Sequence, residues 1–132
     1  MVTLDTSAVV VLLSHRDKNH YAIVEVIKSN VGNLVIPVPV LSEIAHFVER
    51  DLGQATLVAF LADIRSGAFQ IDCCEDDWTR VTELIQKYAD FPLGLSDSTV
   101  IACAERHGGT VATLDRRHFG VVAREGTIQI VP

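Results

Sequence analysis

Basic side chains are in short supply in this 132-residue sequence: 11 lysines and arginines stand against 17 acids, a formal charge of −6. A surface of that sign does not grip nucleic acid by bulk attraction, so any phosphate partner must be met by some other positive charge. Cysteines number only three. They cannot all pair within one chain, and adjacent Cys73 and Cys74 lack the spacer of common zinc and redox motifs, so buried free thiols are expected. The longest unbroken apolar run, Ala8 to Leu13, falls far short of the roughly 20 residues that span a bilayer. The opening Met-Val-Thr-Leu-Asp lacks the basic and then apolar stretches of a secretory leader, which points to a cytoplasmic protein. No repeat, low-complexity tract or linker interrupts the chain, and no His-Glu-x-x-His motif occurs.

What is abundant is apolar residues, 48% of the total with 21% charged, enough for one core and one domain spanning residues 1–132. Short β-branched runs alternate with helical patterns, the signature of parallel strands joined by crossover helices. The expected strands are 2–4, 34–36, 69–71, 111–114 and 127–131, which make an α/β fold with a small parallel five-stranded sheet flanked by helices. Leu57, Val58, Leu61 and Ile64 recur at helical spacing, as do Trp78, Val81, Leu84, Ile85 and Tyr88, so both sets are expected to face the core. Ser96 reads as the N-cap of a helix through His107, which Gly108 and Gly109 stop.

Thr-Leu-Asp occurs twice, at residues 3–5 and 113–115, each time closing an apolar strand. Ligands bind at the carboxyl edge of an open parallel sheet, so Asp5 and Asp115 are expected to meet there from opposite ends of the chain. Either alone is explained as a helix cap, and Asp97 alone as a first-turn partner of a helix dipole. Glu43 lies on a helix whose stripe of Val40, Leu41, Ile44, Phe47 and Val48 is roughly 120° wide at about 100° per residue. It falls about 40° beyond the edge of that stripe, bordering the core, whereas Glu49 projects to solvent. Two carboxylates within about 5 Å repel by about 3 kcal/mol at an effective dielectric of 20. Four together call for protonation or for hard cations, and oxygen-only ligands suit magnesium or manganese. Those ions would also supply the missing positive charge. Arg116 and Arg117 offer phosphate contacts or are solvated turn residues, and His118, near Asp115, is read as an exposed turn residue with a substrate contact as the alternative.

Leu4-Asp5-Thr6-Ser7-Ala8, Ser42-Glu43-Ile44, Leu95-Ser96-Asp97 and residues 113–119, in this order and spacing, resemble the PIN domain, and more narrowly the VapC toxins of type II toxin–antitoxin pairs. The resemblance covers essentially the whole chain. It implies a magnesium or manganese site at the sheet edge and endonucleolytic cleavage of structured RNA such as tRNA or rRNA. Its acidic positions match Asp5, Glu43, Asp97 and Asp115, and its supporting hydroxyls match Thr6 and Thr113. It further implies a homodimer and a cognate VapB-type antitoxin. Ser98 departs from the small apolar residue common after the third acid.

Two other readings stay open on the residues alone. An aspartate-based phosphotransfer enzyme also carries strand-end aspartates, but wants a lysine near a late strand, and the last lysine is Lys87. A noncatalytic interaction module would leave the acids as caps and surface charges. Gly94-Leu95-Ser96-Asp97-Ser98 lacks the final glycine that a serine-hydrolase elbow requires.

Overall fold

Five strands line up side by side in the computed structural model, which describes all 132 residues. They are β1 (Val2–Leu4), β2 (Leu34–Pro37), β3 (Gln70–Asp72), β4 (Thr110–Ala112) and β5 (Gln129–Val131), and every pairing is parallel in the order β3-β2-β1-β4-β5. Seven helices make the connections: α1 (Thr6–Leu13), α2 (His20–Lys28), α3 (Leu41–Leu52), α4 (Gln54–Arg65), α5 (Trp78–Lys87), α6 (Gly94–Arg106) and α7 (Arg116–Ala123). No helix is long and apolar enough to cross a membrane.

The strand order carries a consequence for ligands. The chain builds outward from β1 to β3, then crosses back to lay β4 on the other side of β1. Neighbouring strands β1 and β4 therefore send their chains away in opposite directions, leaving a crevice at their carboxyl ends. The backbone N–H of Asp5 donates to the carbonyl of Ala112 at 3.0 Å, fixing the two strand ends against each other where that crevice opens.

Both faces of this sheet are covered, so the central strands are buried almost throughout, Thr3 included, rather than alternating buried and exposed. Val2, Leu4, Leu34, Ile36, Val111 and Ala112 share one core with Ile44 and Val48 of α3, Phe60 of α4, Val100 and Ile101 of α6, and Phe119 of α7. Each large side chain fully buried in this way contributes about 1.5 to 3 kcal/mol. Gly109 turns the chain from α6 into β4 at φ +90°, and a Cβ there would stand 2.9 Å from the carbonyl oxygen of Thr127. No L side chain fits that turn without displacing the backbone of the β5 approach.

Helix α6 is held by charge as well as by packing. Arg80 of α5 makes a two-pronged pair with Glu105 at 2.7 and 2.9 Å. Arg106 bridges the carboxylates of Asp77 and Asp72, and His107 adds a contact of 2.7 Å to Asp72. Arg106 holds the Asp72 carboxyl well below the usual carboxylate range. Asp77 is buried at 4% exposure, so Arg106→Met is expected to destabilise the fold by about 2 kcal/mol through the charge it strands. Urea denaturation at pH 7 measures this as a lower midpoint with an unchanged slope.

Several expectations from the sequence are corrected. Helix α6 starts at Gly94 with Leu93 at the cap position and no capping side chain, so Ser96 lies inside the first turn rather than at its boundary. The α4 stripe is shifted: Leu57 and Ile64 pack against the core as expected and Phe60 is fully buried, while Val58 and Leu61 are 60% and 46% exposed. On α5, Val81 and Leu84 are buried as expected, but Trp78 and Ile85 lie largely in solvent. Helical spacing identifies an apolar stripe without saying how much of it the neighbouring layer covers. Residues 116–118 form the first turn of α7, not a free turn, because Asp115 caps that helix by accepting the N–H of His118 at 3.0 Å. All three thiols are free, with Cys74 and Cys103 buried but Cys73 exposed.

Candidate metal centre

Asp5 is the first residue past β1 and stands at the cap position of α1, yet its side chain does not cap that helix. It points its Oδ2 at two hydroxyls instead. Ser7 Oγ donates to it at 2.8 Å and Thr113 Oγ1 at 2.9 Å. The same hydroxyls reach across the crevice: Ser7 Oγ accepts the N–H of Leu114 at 3.0 Å and Thr113 Oγ1 accepts the N–H of Asp115 at 3.0 Å. Two strand ends are thus stitched together around one carboxylate, with Asp5 Oδ1 left without a side-chain donor. Burial pushes the Asp5 carboxyl above its ordinary range against the pull of these two donors.

Helix α3 brings Glu43 in its first turn, and α6 brings Asp97 in its first turn. Asp5, Glu43, Asp97 and Asp115 then line one cleft of about 370 Å³, walled on its apolar side by Val10, Val11 and Phe47. The four acids expected from the sequence are brought together. Thr6 also lines this cleft, and its buried Oγ1 has no hydrogen-bond partner.

Electrostatics sets this cluster apart from the paired acids elsewhere in the molecule. No lysine or arginine lines the cleft, and none makes a salt bridge with any of the four acids. The Asp97 carboxyl is pushed up to about 7, first by burial and then by the negative fields of Asp5, Asp115 and Glu43, with His118 pulling the other way. At neutral pH the isolated cluster therefore holds on to a proton that an ordinary aspartate gives up.

His118, one helical turn past Asp115, faces it: Nδ1 lies 2.9 Å from Oδ2. Asp97, Asp115 and His118 present potential ligand atoms all within 4.8 Å of one another. The donor set fits a hard divalent cation, being carboxylate oxygens with no competing cation and a buried, unpartnered hydroxyl in the same wall.

Three contributors were not read as such from the sequence. Ser7 sits two residues after Asp5, a spacing at which a hydroxyl can bond back to the preceding carboxylate. His118 follows Asp115 by three, which is one turn once α7 is known to start there. Ser96 donates to Glu43 Oε2 at 2.9 Å across 53 residues of sequence, and no local signal foretells that contact. Of the two arginines after Asp115, Arg116 donates to the carbonyl of Pro132 at 3.1 Å, and Arg117 lies over the ring of Phe91 with its guanidinium 5.4 Å from the centroid.

Comparison with known proteins agrees with this geometry. A family model described as the PIN domain matches residues 2–125. The chain is 29% identical over 121 residues to a curated protein of Mycobacterium tuberculosis named ribonuclease VapC26, covering 90% of each. Among solved structures, it superposes on the same organism's VapC20, described as a sarcin-ricin loop cleaving toxin, with a TM-score of 0.80 at 19% identity over the whole of both chains. A DNA-bound VapBC from Salmonella typhimurium gives 0.72 at 20% identity, with 98% of this chain and 95% of that one covered.

Proposed function

The chain belongs to the PIN domain family, and from that premise we propose that it is a magnesium- or manganese-dependent endoribonuclease, the toxin of a toxin–antitoxin pair. The observation that carries this reading is the cluster itself: four carboxylates in one cleft that no lysine or arginine neutralises, with Asp97 raised to about 7. A protein that keeps such repulsion uncompensated is built to receive cations. The similarity to a protein named as a ribonuclease, and to one described as cleaving the sarcin-ricin loop, supports structured RNA as substrate.

In this reading Asp5, Asp97 and Asp115 hold the ion, and Glu43 holds a second one or orients the attacking water. A divalent ion in that position lowers the pKa of water and offsets charge on the phosphate during in-line displacement. Ser7 and Thr113 fix Asp5 by occupying its Oδ2, so that Oδ1 is presented in a set orientation. Ser96 does the same for Glu43, occupying Oε2 and leaving Oε1 without a protein donor and able to take a proton from water. His118 steadies Asp115 from the opposite side. In the overall reaction the water oxygen bonds to phosphorus, the bond to the leaving oxygen breaks, and that oxygen gains a proton.

Thr113→Val keeps the shape but removes a donor from Asp5 and an acceptor from the N–H of Asp115. It is expected to weaken manganese binding about tenfold, read by calorimetry, as other changes behind a metal ligand do.

A cognate VapB-type antitoxin and a homodimer complete the proposal, together with a cytoplasmic location. Related folds described as toxin–antitoxin complexes support the antitoxin, and exposed Val58 and Leu61 on α4 offer apolar surface for a partner to cover. The decisive experiment maps RNA 5′ ends in cells after induction of the wild type or of Asp97→Asn. New ends at discrete positions are expected with the wild type alone, and identical profiles from the two would refute nuclease activity.

A further inference from the structure

Beside the carboxylate cleft lies a short stack of side chains, of which the proposed hydrolysis uses only His118. Phe91 sits in the connection between α5 and α6, where its N–H donates to the carbonyl of Tyr88 at 3.0 Å. Its ring is half-buried and packs against the imidazole of His118, with centroids 5.0 Å apart and planes inclined by 39°. The guanidinium of Arg117 lies over that same ring at 5.4 Å. His118 in turn touches Asp115, so the stack begins at the metal centre and leads outward from it within two side chains.

Arg117 differs from its neighbour in what it is free to do. Arg116 is engaged by Pro132. Arg117 is exposed and makes no salt bridge and no protein hydrogen bond; its only recorded partner is an aromatic face. A guanidinium above a ring is planar and positively charged, and its free face is a surface on which an unpaired base can stack.

We propose that Arg117, carried over the ring of Phe91, which His118 backs, is the platform on which an unpaired nucleobase next to the cleaved phosphodiester stacks, so that the enzyme selects single-stranded or looped RNA at this position. The proposal rests on the nuclease reading and adds to it a specificity-determining subsite. A stacking platform and a simple phosphate contact differ in one respect: lysine restores the charge of Arg117 but not its planar face.

The test measures binding of a short single-stranded RNA carrying 2-aminopurine, in calcium, together with steady-state cleavage in magnesium. Wild type is expected to quench the 2-aminopurine fluorescence on binding. Arg117→Lys and Arg117→Ala are both expected to lose the quench and bind about tenfold more weakly, the usual scale of one base stacked on a side chain. Phe91→Leu should follow them, and Phe91→Trp should restore both the quench and the affinity. Circular dichroism and thermal melting establish that each variant is folded. Wild-type affinity in Arg117→Lys would overturn the platform in favour of a phosphate contact. An unquenched wild type that still cleaves RNA would overturn the platform alone. A wild type that neither binds nor cleaves RNA would bring down the nuclease reading and the platform with it.

Discussion

Replacing Asp5 with asparagine is expected to slow RNA cleavage in magnesium about a thousandfold while leaving the protein folded. The size of the effect follows from what the residue contributes. Stabilisation of charge by a correctly held divalent ion amounts to several kcal/mol, and each 1.36 kcal/mol is a factor of about ten in rate. Folding should survive because an asparagine carbonyl can still accept from Ser7 or Thr113, the two hydroxyls that now donate to Asp5 Oδ2. The measurement is single-turnover cleavage of a labelled RNA by purified protein, with melting curves alongside. A variant with more than a tenth of wild-type activity would remove Asp5 from the metal-binding set.

The second large effect is thermodynamic and of opposite sign in the presence and absence of metal. Asp97 is raised to about 7, chiefly by burial and then by the charges of Asp5, Asp115 and Glu43. A group whose folded pKa lies above its unfolded value favours folding most when protonated. Its contribution is complete below about pH 4 and fades as pH rises through about 7. Metal-free protein should therefore lose stability between pH 5 and pH 8 on account of this site. With Asp97 partly open to solvent, the screened loss is about 2 kcal/mol. Asp97→Asn should then raise the melting temperature of the metal-free protein by about 5 °C at pH 8 and by little at pH 4.5. Manganese should do the reverse to the two proteins, raising the melting temperature of the wild type by mass action, more at pH 8 than at pH 5.5, and scarcely moving Asp97→Asn. Equal metal shifts in both would mean that the ion binds elsewhere.

These two outcomes separate catalytic from structural roles among the acids. Asp72 and Asp77 are also clustered, yet Arg106 neutralises both, so their replacement should harm folding and leave metal binding alone. The cleft acids should show the converse pattern, in which removal of charge relieves repulsion and costs activity.

The order of elements was legible in the sequence because its signals are local. All five strands were placed within a residue or two, since β-branched runs and their bounding turns declare themselves. The helix carrying Glu43 follows from apolar spacing, and the one carrying Asp97 from its end signals, above all the Gly108-Gly109 stop. The repeated Thr-Leu-Asp put Asp5 and Asp115 at strand ends, and parallel topology put those ends on one edge. The boundary of α6 was misread because serine before an acidic turn is a cap by preference, and here tertiary demand places that hydroxyl on Glu43 instead. Likewise the exposed faces of α4 and α5 could not be told from buried ones, because spacing gives the direction of a stripe and not the extent of its cover.

By itself, then, the sequence placed Asp5 and Asp115 at one edge of a parallel sheet on a chain too acidic to hold phosphate unaided, and its PIN resemblance added Glu43 and Asp97 to them. Only the tertiary structure decided how they are held. The hydrogen bonds from Thr113 to Asp5 and from the N–H of Leu114 to Ser7 join residues more than a hundred positions apart, and the contact of Ser96 with Glu43 joins two helices; none has a periodicity or a local propensity to announce it. The stacking of Phe91 against His118 and Arg117 arises in the same way, from a loop laid beside a helix end. The physical reason is range: secondary structure is written by neighbours in the chain, whereas the orientation of a carboxylate is written by whichever donor the fold brings within about 3 Å.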